Sequence, residues 1–142
     1  MSNERLSIVD YPLAEKRPEV VLGKRGKGLD EITLEALIED RVTLEDLRIT
    51  AAALRQQAEI ARAAGRDTLA ANFERGAELV DVPQDTIMRI YELLRPGRAE
   101  SRSALLTTAG ELREQYGAEG MAAFVEEAAA VYERRGLFKK RF

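Results

Sequence analysis

From Thr33 onward, the apolar residues of this chain recur at helical spacing, and this periodicity constrains the fold more than any other feature. Residues three or four apart share one face of an α-helix, whereas a half-buried strand needs strict alternation, of which no convincing run is present. The clearest stripes are Ile87, Ile90, Tyr91 and Leu94, then Leu105, Ala109, Leu112 and Tyr116, then Met121, Phe124, Ala128 and Val131. An all-α body of about five substantial helices is therefore predicted.

Capping signals divide the periodic region into separate helices. Thr33 and Thr43 each begin a short helical segment, and Thr50 is expected to cap a helix that runs to Ala64 and stops at Gly65. The later helices are predicted to run from an Asp67 cap to Val80, from Pro83 to Leu94, from Ser101 or Ser103 to Tyr116, and from about Glu119 to Arg135.

Residues 1–31 show no periodicity and contain three glycines and two prolines, so an extended, irregular N-terminal arm is predicted. The remainder, residues 32–142, is predicted to be a helical domain that ends in a short basic tail. The arm also holds larger apolar residues, namely Leu6, Ile8, Val9, Tyr11, Leu13, Val20, Val21 and Leu22. An apolar irregular segment needs a surface to lie on, either the helical body or another chain.

Composition excludes several classes of function. The chain has no histidine and no cysteine, which excludes Cys/His zinc sites, iron–sulfur ligation, thiol nucleophiles and an imidazole base. A net charge of −3 does not suit a dedicated nucleic-acid binder. No apolar run approaches the roughly 18 residues that span a membrane, and the start lacks the apolar core of a secretion signal. We therefore expect no nucleic-acid partner, no membrane partner and a cytoplasmic location.

Two basic segments invite a functional interpretation. In GKRGKG (23–28) two glycines have the spacing of a phosphate loop, but Leu29 and Asp30 stand where Lys and Ser/Thr belong. Because Asp30 would repel phosphate, a basic turn is favoured. The C-terminal ERRGLFKKRF (133–142) has the charge to contact nucleic acid or an acidic partner, and a solvated tail is the favoured interpretation.

The polar side chains of residues 71–79 fit an active site, a solvated helix face or a partner-binding surface. A catalytic carboxylate pair would need one member in an apolar pocket that raises its pKa, and the spacing of Glu74 and Glu78 supplies none. In the preceding helix, Gln57 falls inside the apolar arc. A hydrogen-bonded core amide is favoured there, with Asn72 or a neighbouring subunit as the partner.

Eight segments stand in one order and spacing from about Asp10 to Arg135. They are DYPLA (10–14), RPE (17–19), ITLE (32–35), RIT (48–50), AGRDTLAANFERGAEL (64–79), VP (82–83), IYELLRPGR (90–98) and AAFVEEAAAVYERR (122–135). Together they resemble the small subunit of the adenosylcobalamin-dependent diol and glycerol dehydratases. Two positions depart from that pattern: Gly76 stands where alanine is usual, and Gly97 stands where an aromatic residue is usual.

The resemblance implies a complex of large, medium and small subunits, present as a dimer of heterotrimers, that converts 1,2-diols or glycerol to aldehydes. In that family the large subunit holds the substrate and a metal ion, adenosylcobalamin lies between the large and medium subunits, and the chemistry is radical. The small subunit packs on the large one and supplies no known catalytic group. We therefore predict no catalytic, cofactor-binding or metal-binding residue in this chain.

The resemblance leaves residence in a bacterial microcompartment open beside the free cytoplasm. Small subunits of diol dehydratases can carry an N-terminal extension associated with packaging, and here nine residues precede Asp10. This shorter form resembles glycerol dehydratase more.

An irregular apolar arm and planar arginine donors are both suited to subunit contacts. The predicted interface comprises the arm, a turn of the 67–80 helix and the loop after Leu94, at Tyr11, Pro12, Asn72, Arg75, Arg95 and Arg98.

Two other functions stay open at this point. The chain could be a stand-alone helical adaptor with its basic tail as the docking site. It could also be an independent carboxylate enzyme, which would require Glu74 or Glu78 to titrate well above about 4.3.

Overall fold

The computed structural model describes residues 4–138, and within that range it contains helices, turns and one isolated antiparallel bridge between Leu22 and Gly28. Three short α-helices come first: α1 (Leu13–Lys16), α2 (Leu34–Ile38) and α3 (Leu44–Leu47). Five longer helices follow: α4 (Ala51–Ala63), α5 (Asp67–Leu79), α6 (Gln84–Leu94), α7 (Arg102–Tyr116) and α8 (Glu119–Arg134). The predicted all-α class with five substantial helices is confirmed.

The chain groups into two compact units, which divide between Val80 and Asp81. The predicted division into an arm over 1–31 and a helical domain over 32–142 stays a prediction. Lys139, Lys140 and Arg141 of the predicted basic tail lie outside the described residues.

The capping residues act at the helix ends as expected. The hydroxyl oxygens of Thr33, Thr50 and Ser101 accept hydrogen bonds from backbone N–H groups at 3.1, 3.0 and 3.3 Å. Ser101, and not Ser103, is therefore the cap of α7. Gly117 ends that helix at φ 61°, in the left-handed region where a residue without a Cβ is favoured.

One predicted cap is displaced by a residue. The carbonyl oxygen of Arg66 already accepts the Ala70 N–H at 3.0 Å, so Arg66 is the N-cap and Asp67 is the first residue of α5. The prediction that Asp67 is the cap is wrong by this one position. Its carboxylate still lies in the first turn, where the positive end of the helix dipole favours it.

In the first unit, the arm packs on α4 through a small apolar cluster. Leu6, Leu13 and Ile60 form this cluster, with Val20 and Val21 half-buried against it. Two hydrogen bonds attach the arm to the same helix: the Leu6 N–H donates to the Glu59 carboxylate at 2.9 Å, and the Gln56 amide donates to the Val20 carbonyl at 3.0 Å. Of the two surfaces considered from sequence, this part of the arm uses the chain's own body.

α4 packs on α5 through a second cluster. Its members are the buried Ala58, Ala61 and Ala70, with Leu69 and Phe73 half-buried beside them. Because the contact is made mainly of alanine, the two helices approach closely without a large side chain between them.

Residues 22–49 enclose a buried carboxylate that pairs with an arginine. The GKRGKG segment is a tight turn, in which the Gly23 N–H bonds the Lys27 carbonyl at 2.9 Å. This agrees with the basic turn favoured from sequence. Arg25 on this turn reaches the carboxylate of Asp46 in α3, with Nε to Oδ1 at 2.8 Å and Nη2 bonded to Oδ2. The Asp46 side chain is fully buried, so an ion pair and not an apolar contact joins α3 to the turn.

In the second unit, α7 packs on α8 through small residues around a few larger ones. Leu105, Leu112 and Val125 are completely buried there. Ala109, Ala118, Ala122 and Ala129 are buried as well and keep the helices close. α6 joins this pair through Arg89 Nη2, which donates to both carboxylate oxygens of Glu111 at 2.7 Å, and through the Tyr132 hydroxyl, which donates to the Leu94 carbonyl.

Gly76→Ala is expected to raise the free energy of unfolding by about 0.5–1 kcal/mol, because glycine inside a helix costs that much relative to alanine. The structure has room for the methyl group, since a Cβ built at Gly76 meets only Leu54 Cδ1 at 3.6 Å, an ordinary contact. Urea unfolding followed by circular dichroism measures the change. An unchanged or lowered midpoint would contradict the expectation.

The Arg25–Asp46 pair predicts a pH-dependent stability. The hydrogen bonds from Arg25 lower the pKa of Asp46 from 3.8 to about 2. A carboxyl group whose pKa is depressed by folding stabilises the folded chain above its unfolded pKa, and that contribution is lost as the pH falls toward the folded value. The Tm of the wild type should therefore exceed that of Asp46→Asn at pH 6, and the difference should shrink between pH 3.8 and 2.

The control for this comparison is Glu35→Gln. It removes one negative charge from an exposed side chain on α2 and so leaves the buried carboxylate of Asp46 in place. A constant Tm difference between wild type and Asp46→Asn across the acid range would contradict the assignment of the effect to Asp46.

Candidate subunit interface

A cleft opens between the arm and the α4–α5 pair in the first unit. Its volume is about 340 Å³, and its walls are mostly apolar. Ile8 and Tyr11 line it from the arm, Ile60 and Ala61 from α4, and Phe73 from α5. Tyr11 is 58% exposed at the mouth of the cleft, so its ring is available to a partner. An open, mostly apolar cleft of this kind suits a side chain of another protein.

The structure places Tyr11 and Pro12 at the edge of this cleft. Pro12 is exposed and directly precedes α1, and its carbonyl accepts the Lys16 N–H at 3.0 Å, which begins that helix. The arm is therefore held in a defined conformation where it meets α4, with the two predicted interface residues on the outside.

Asn72 and Arg75 lie one turn apart on α5. The Arg75 guanidinium donates to the Asn72 side-chain oxygen, which fixes both side chains on the helix surface. Asn72 is exposed and Arg75 is half-buried. Neither residue lines the cleft; the neighbouring Phe73 does so instead.

Among the described residues, no hydrogen bond joins Gln57 to Asn72, whose side-chain oxygen accepts from Arg75. Gln57 is half-buried and lines the cleft. It is one of the polar residues of this mostly apolar cleft, together with Tyr11 and Arg66. A neighbouring subunit as the partner of its amide stays a prediction.

The loop after α6 carries Arg95 and Arg98 in the second unit. Arg95 pairs with Glu92 at 3.3 Å, and the Arg98 N–H donates to the Arg95 carbonyl at 3.1 Å. Both side chains are exposed. Gly97 between them has φ 81°, in the left-handed region, so this turn favours glycine over the aromatic residue usual at that position. The assignment of all six residues to an interface stays a prediction.

Glu74 does not have the electrostatics of a catalytic acid. The Arg62 guanidinium donates to Glu74 Oε1 at 2.6 Å and lowers the pKa of this carboxyl group. A general acid at neutral pH needs a raised pKa. The carboxylate-enzyme hypothesis is thus contradicted at Glu74. Within residues 4–138, no group of three or more acidic side chains is arranged to hold a metal ion.

The cleft residues Ile8 and Phe73 were not named as interface residues from sequence. Both carried a signal: Ile8 is an apolar residue in an irregular arm, and Phe73 is the bulkiest residue on its helix face. The sequence does not indicate which parts of Ile8 and Phe73 remain exposed once the arm has packed on α4.

In the described part of the chain, none of the helices has both the length and the apolar character that a bilayer crossing requires.

The chain belongs to the dehydratase small subunit family, whose family model matches residues 6–139. It is similar to the propanediol dehydratase small subunit of Citrobacter freundii, with 51% identity over 132 residues, which are 93% of this chain and 76% of that protein. It is also similar to the propanediol dehydratase small subunit of Salmonella typhimurium strain LT2, with 50% identity over 132 residues and the same coverage. The resemblance noted from the eight segments is confirmed.

Proposed function

We propose that this chain is the small, non-catalytic structural subunit of an adenosylcobalamin-dependent diol/glycerol dehydratase. The complex would convert 1,2-diols or glycerol to aldehydes by radical chemistry carried by its large subunit. The observation that supports this is the identity of 51% and 50% to two propanediol dehydratase small subunits across 93% of the chain. We place the complex in the cytoplasm, either free or within a bacterial microcompartment.

The residues of this chain do not fit a cobalamin site. The sequence has no histidine to ligate cobalt. The apolar cleft of about 340 Å³ is far smaller than a corrin ring with its nucleotide tail. We therefore assign the adenosylcobalamin to the large and medium subunits and the metal ion to the large subunit, and derive no catalytic step from this chain.

A role in assembly is supported by where the apolar side chains lie. Among residues 4–138, eleven of the fifteen exposed large apolar residues fall between Ile8 and Ile49. Exposed apolar residues scattered singly are normal in soluble proteins, but a concentration of them in one region marks a surface for a partner. The proposed partners are the large and medium dehydratase subunits, in a dimer of heterotrimers.

Co-expression with the large and medium subunits tests the proposal. We expect the three chains to copurify in equal amounts, with a mass equal to two of each, and to dehydrate 1,2-propanediol or glycerol when adenosylcobalamin is added. The same preparation made without this chain should lose activity and assembly. Full activity without it would contradict the proposal, and a stable monomer that copurifies with neither subunit would favour the adaptor function.

Arg75→Ala and Arg98→Ala are each expected to weaken assembly about tenfold, because truncating a well-placed interface arginine commonly costs 1 kcal/mol or more. The kcat of complexes that do assemble should be unchanged, since neither residue is assigned to the chemistry. Titration of subunit against activity gives both values. Arg102→Ala on α7, whose side chain pairs with Glu133 at 2.6 Å, is the matched control. Lowered kcat in an intact complex would contradict a purely structural role.

A further inference from the structure

In helices α2 and α3 the buried residues are small or charged, whereas the large apolar residues are exposed to solvent. In α2 the buried residue is Ala36, whereas Leu34 is 67% exposed and Ile38 is 72% exposed. In α3 the buried residue is Asp46, whereas Leu44 is 76% exposed. We call the exposed apolar side chains of this segment the α2–α3 surface: Leu34, Leu37, Ile38, Leu44, Leu47 and Ile49.

This arrangement is held by polar contacts, so it does not depend on covering the leucines. Thr33 caps α2 at 3.1 Å, and the Thr43 N–H donates to the Asp46 carboxylate at 2.9 Å. The same carboxylate accepts from Arg25. Because its ion pair and hydrogen bonds draw Asp46 inward, the leucines on either side of it in α3 face outward. The surface is therefore formed before any partner arrives.

The α2–α3 surface also includes a groove at the end that contains Ile49. Its volume is about 140 Å³, and Leu22, Leu29 and Ile49 line it together with the half-buried Val21 and Ile32. An opening of this size and lining accepts an apolar side chain of a partner, as the central pockets of protein interfaces do.

The charges around the surface indicate which partner fits. Residues 29–49 contain seven Asp and Glu residues and two Arg residues, but Asp46 is buried against Arg25, so six carboxylates are left for the rim. The adjoining turn adds Lys24 and Lys27, which leaves the rim with a net charge of −2. Two copies of this chain meeting through the same surface would bring two acidic rims together, which is unfavourable. A surface with an apolar centre and a rim of Lys or Arg would be complementary to it.

We propose that the α2–α3 surface docks onto an apolar, basic-rimmed surface of a larger subunit of the dehydratase. This inference rests on the proposed function for the identity of the partner. The residues that carry it differ from the six interface residues predicted from sequence, and it adds a second contact region to the first unit.

Competitive incorporation tests the inference on the complex as it assembles. An affinity-tagged variant and an untagged wild-type chain are co-expressed at equal levels with the large and medium subunits, and their ratio in the purified complex is measured. Ile38→Asp and Leu44→Asp should each reduce incorporation about 100-fold, because each places an unpaired charge in an apolar contact. Leu106→Asp on α7, which replaces a leucine that is 40% exposed, is the control and should compete within about threefold of wild type.

The basic rim of the partner is tested by Glu39→Lys. The substitution breaks the exposed Glu39–Arg41 ion pair at 2.7 Å, which contributes little to stability at the surface, and lysine is favourable at the C-terminal end of α2. Attraction to a basic rim becomes repulsion. Incorporation should fall about tenfold, and more at low salt than at high salt. Glu114→Lys, which makes the same charge change at an exposed position of α7, should incorporate as wild type does.

The outcomes separate this inference from the proposed function. If the tagged wild-type chain is absent from the dehydratase, both are overturned. If it is present and the α2–α3 variants incorporate equally well, or the Leu106→Asp control fails equally, the inference alone is overturned. It is also overturned if the isolated chain is a dimer that Ile38→Asp disperses, as measured by light scattering.

Discussion

Replacing Leu105 with alanine is expected to lower the free energy of unfolding by about 3 kcal/mol, the middle of the range measured for large-to-small core substitutions. Leu105 has no exposed surface in the interior of the second unit. Its neighbours along the α7–α8 contact are largely alanines, whose short side chains have no rotamers with which to fill the space. The cavity should therefore persist, and the loss should not be reduced by relaxation.

Leu106→Ala is the matched control, because it removes the same atoms from the next residue, which is 40% exposed. Its cost should stay below about 1 kcal/mol. Urea unfolding followed by circular dichroism at 222 nm measures the helices of both units, and tyrosine fluorescence reports mainly the second unit, which holds three of the four tyrosines. Equal losses from the two substitutions would contradict the assignment of Leu105 to the interior.

The second large effect is expected from Ile60→Ala, which should cost about 2–4 kcal/mol and release the arm. Ile60 is the α4 member of the cluster with Leu6 and Leu13, and it also lines the cleft. Its removal takes away the apolar contact that supports the Leu6–Glu59 hydrogen bond at 2.9 Å. Amide hydrogen exchange of residues 6–21 should accelerate more than that of α5.

Val9→Ala tests whether this effect belongs to the buried cluster. Val9 is 80% exposed in the same arm, so its truncation should leave exchange and stability nearly unchanged. Slow exchange of residues 6–21 in Ile60→Ala would mean that the hydrogen bonds to the Glu59 and Gln56 side chains hold the arm without the cluster.

The helical architecture was predictable because its signals are local. A hydroxyl side chain at Thr50 or Ser101 bonds a backbone N–H three residues ahead, and Gly117 ends a helix by its own backbone freedom. The cap at Asp67 was displaced because the choice between Arg66 and Asp67 is decided by the path of the chain after α4. That path is set by the turn that ends α4, in which Gly65 has φ 73° and the Arg66 N–H bonds the Ala61 carbonyl at 2.8 Å.

The candidate interface was predictable only in part. Tyr11 stood out as an aromatic residue in an irregular segment, and it lies at the cleft. Leu34, Leu37 and Ile38 have the same spacing as a core-facing stripe, so periodicity assigns them to an interior. All three are exposed instead. In α3, the exposure of Leu44 and Leu47 follows from the inward position of Asp46, whose partner Arg25 is 21 residues away in sequence. An ion pair between a buried carboxylate and an arginine far away in sequence leaves no periodic signal.

The polar support of α2 and α3 has a kinetic consequence. Because Thr33, Thr43, Arg25 and Asp46 already order this segment, docking through it requires little further loss of conformational entropy. Encounter with a basic-rimmed subunit would then be limited by diffusion and orientation, with the acidic rim steering the approach. The rate constant for association should accordingly fall as ionic strength rises, while the dissociation rate, set by the covered leucines, should change little.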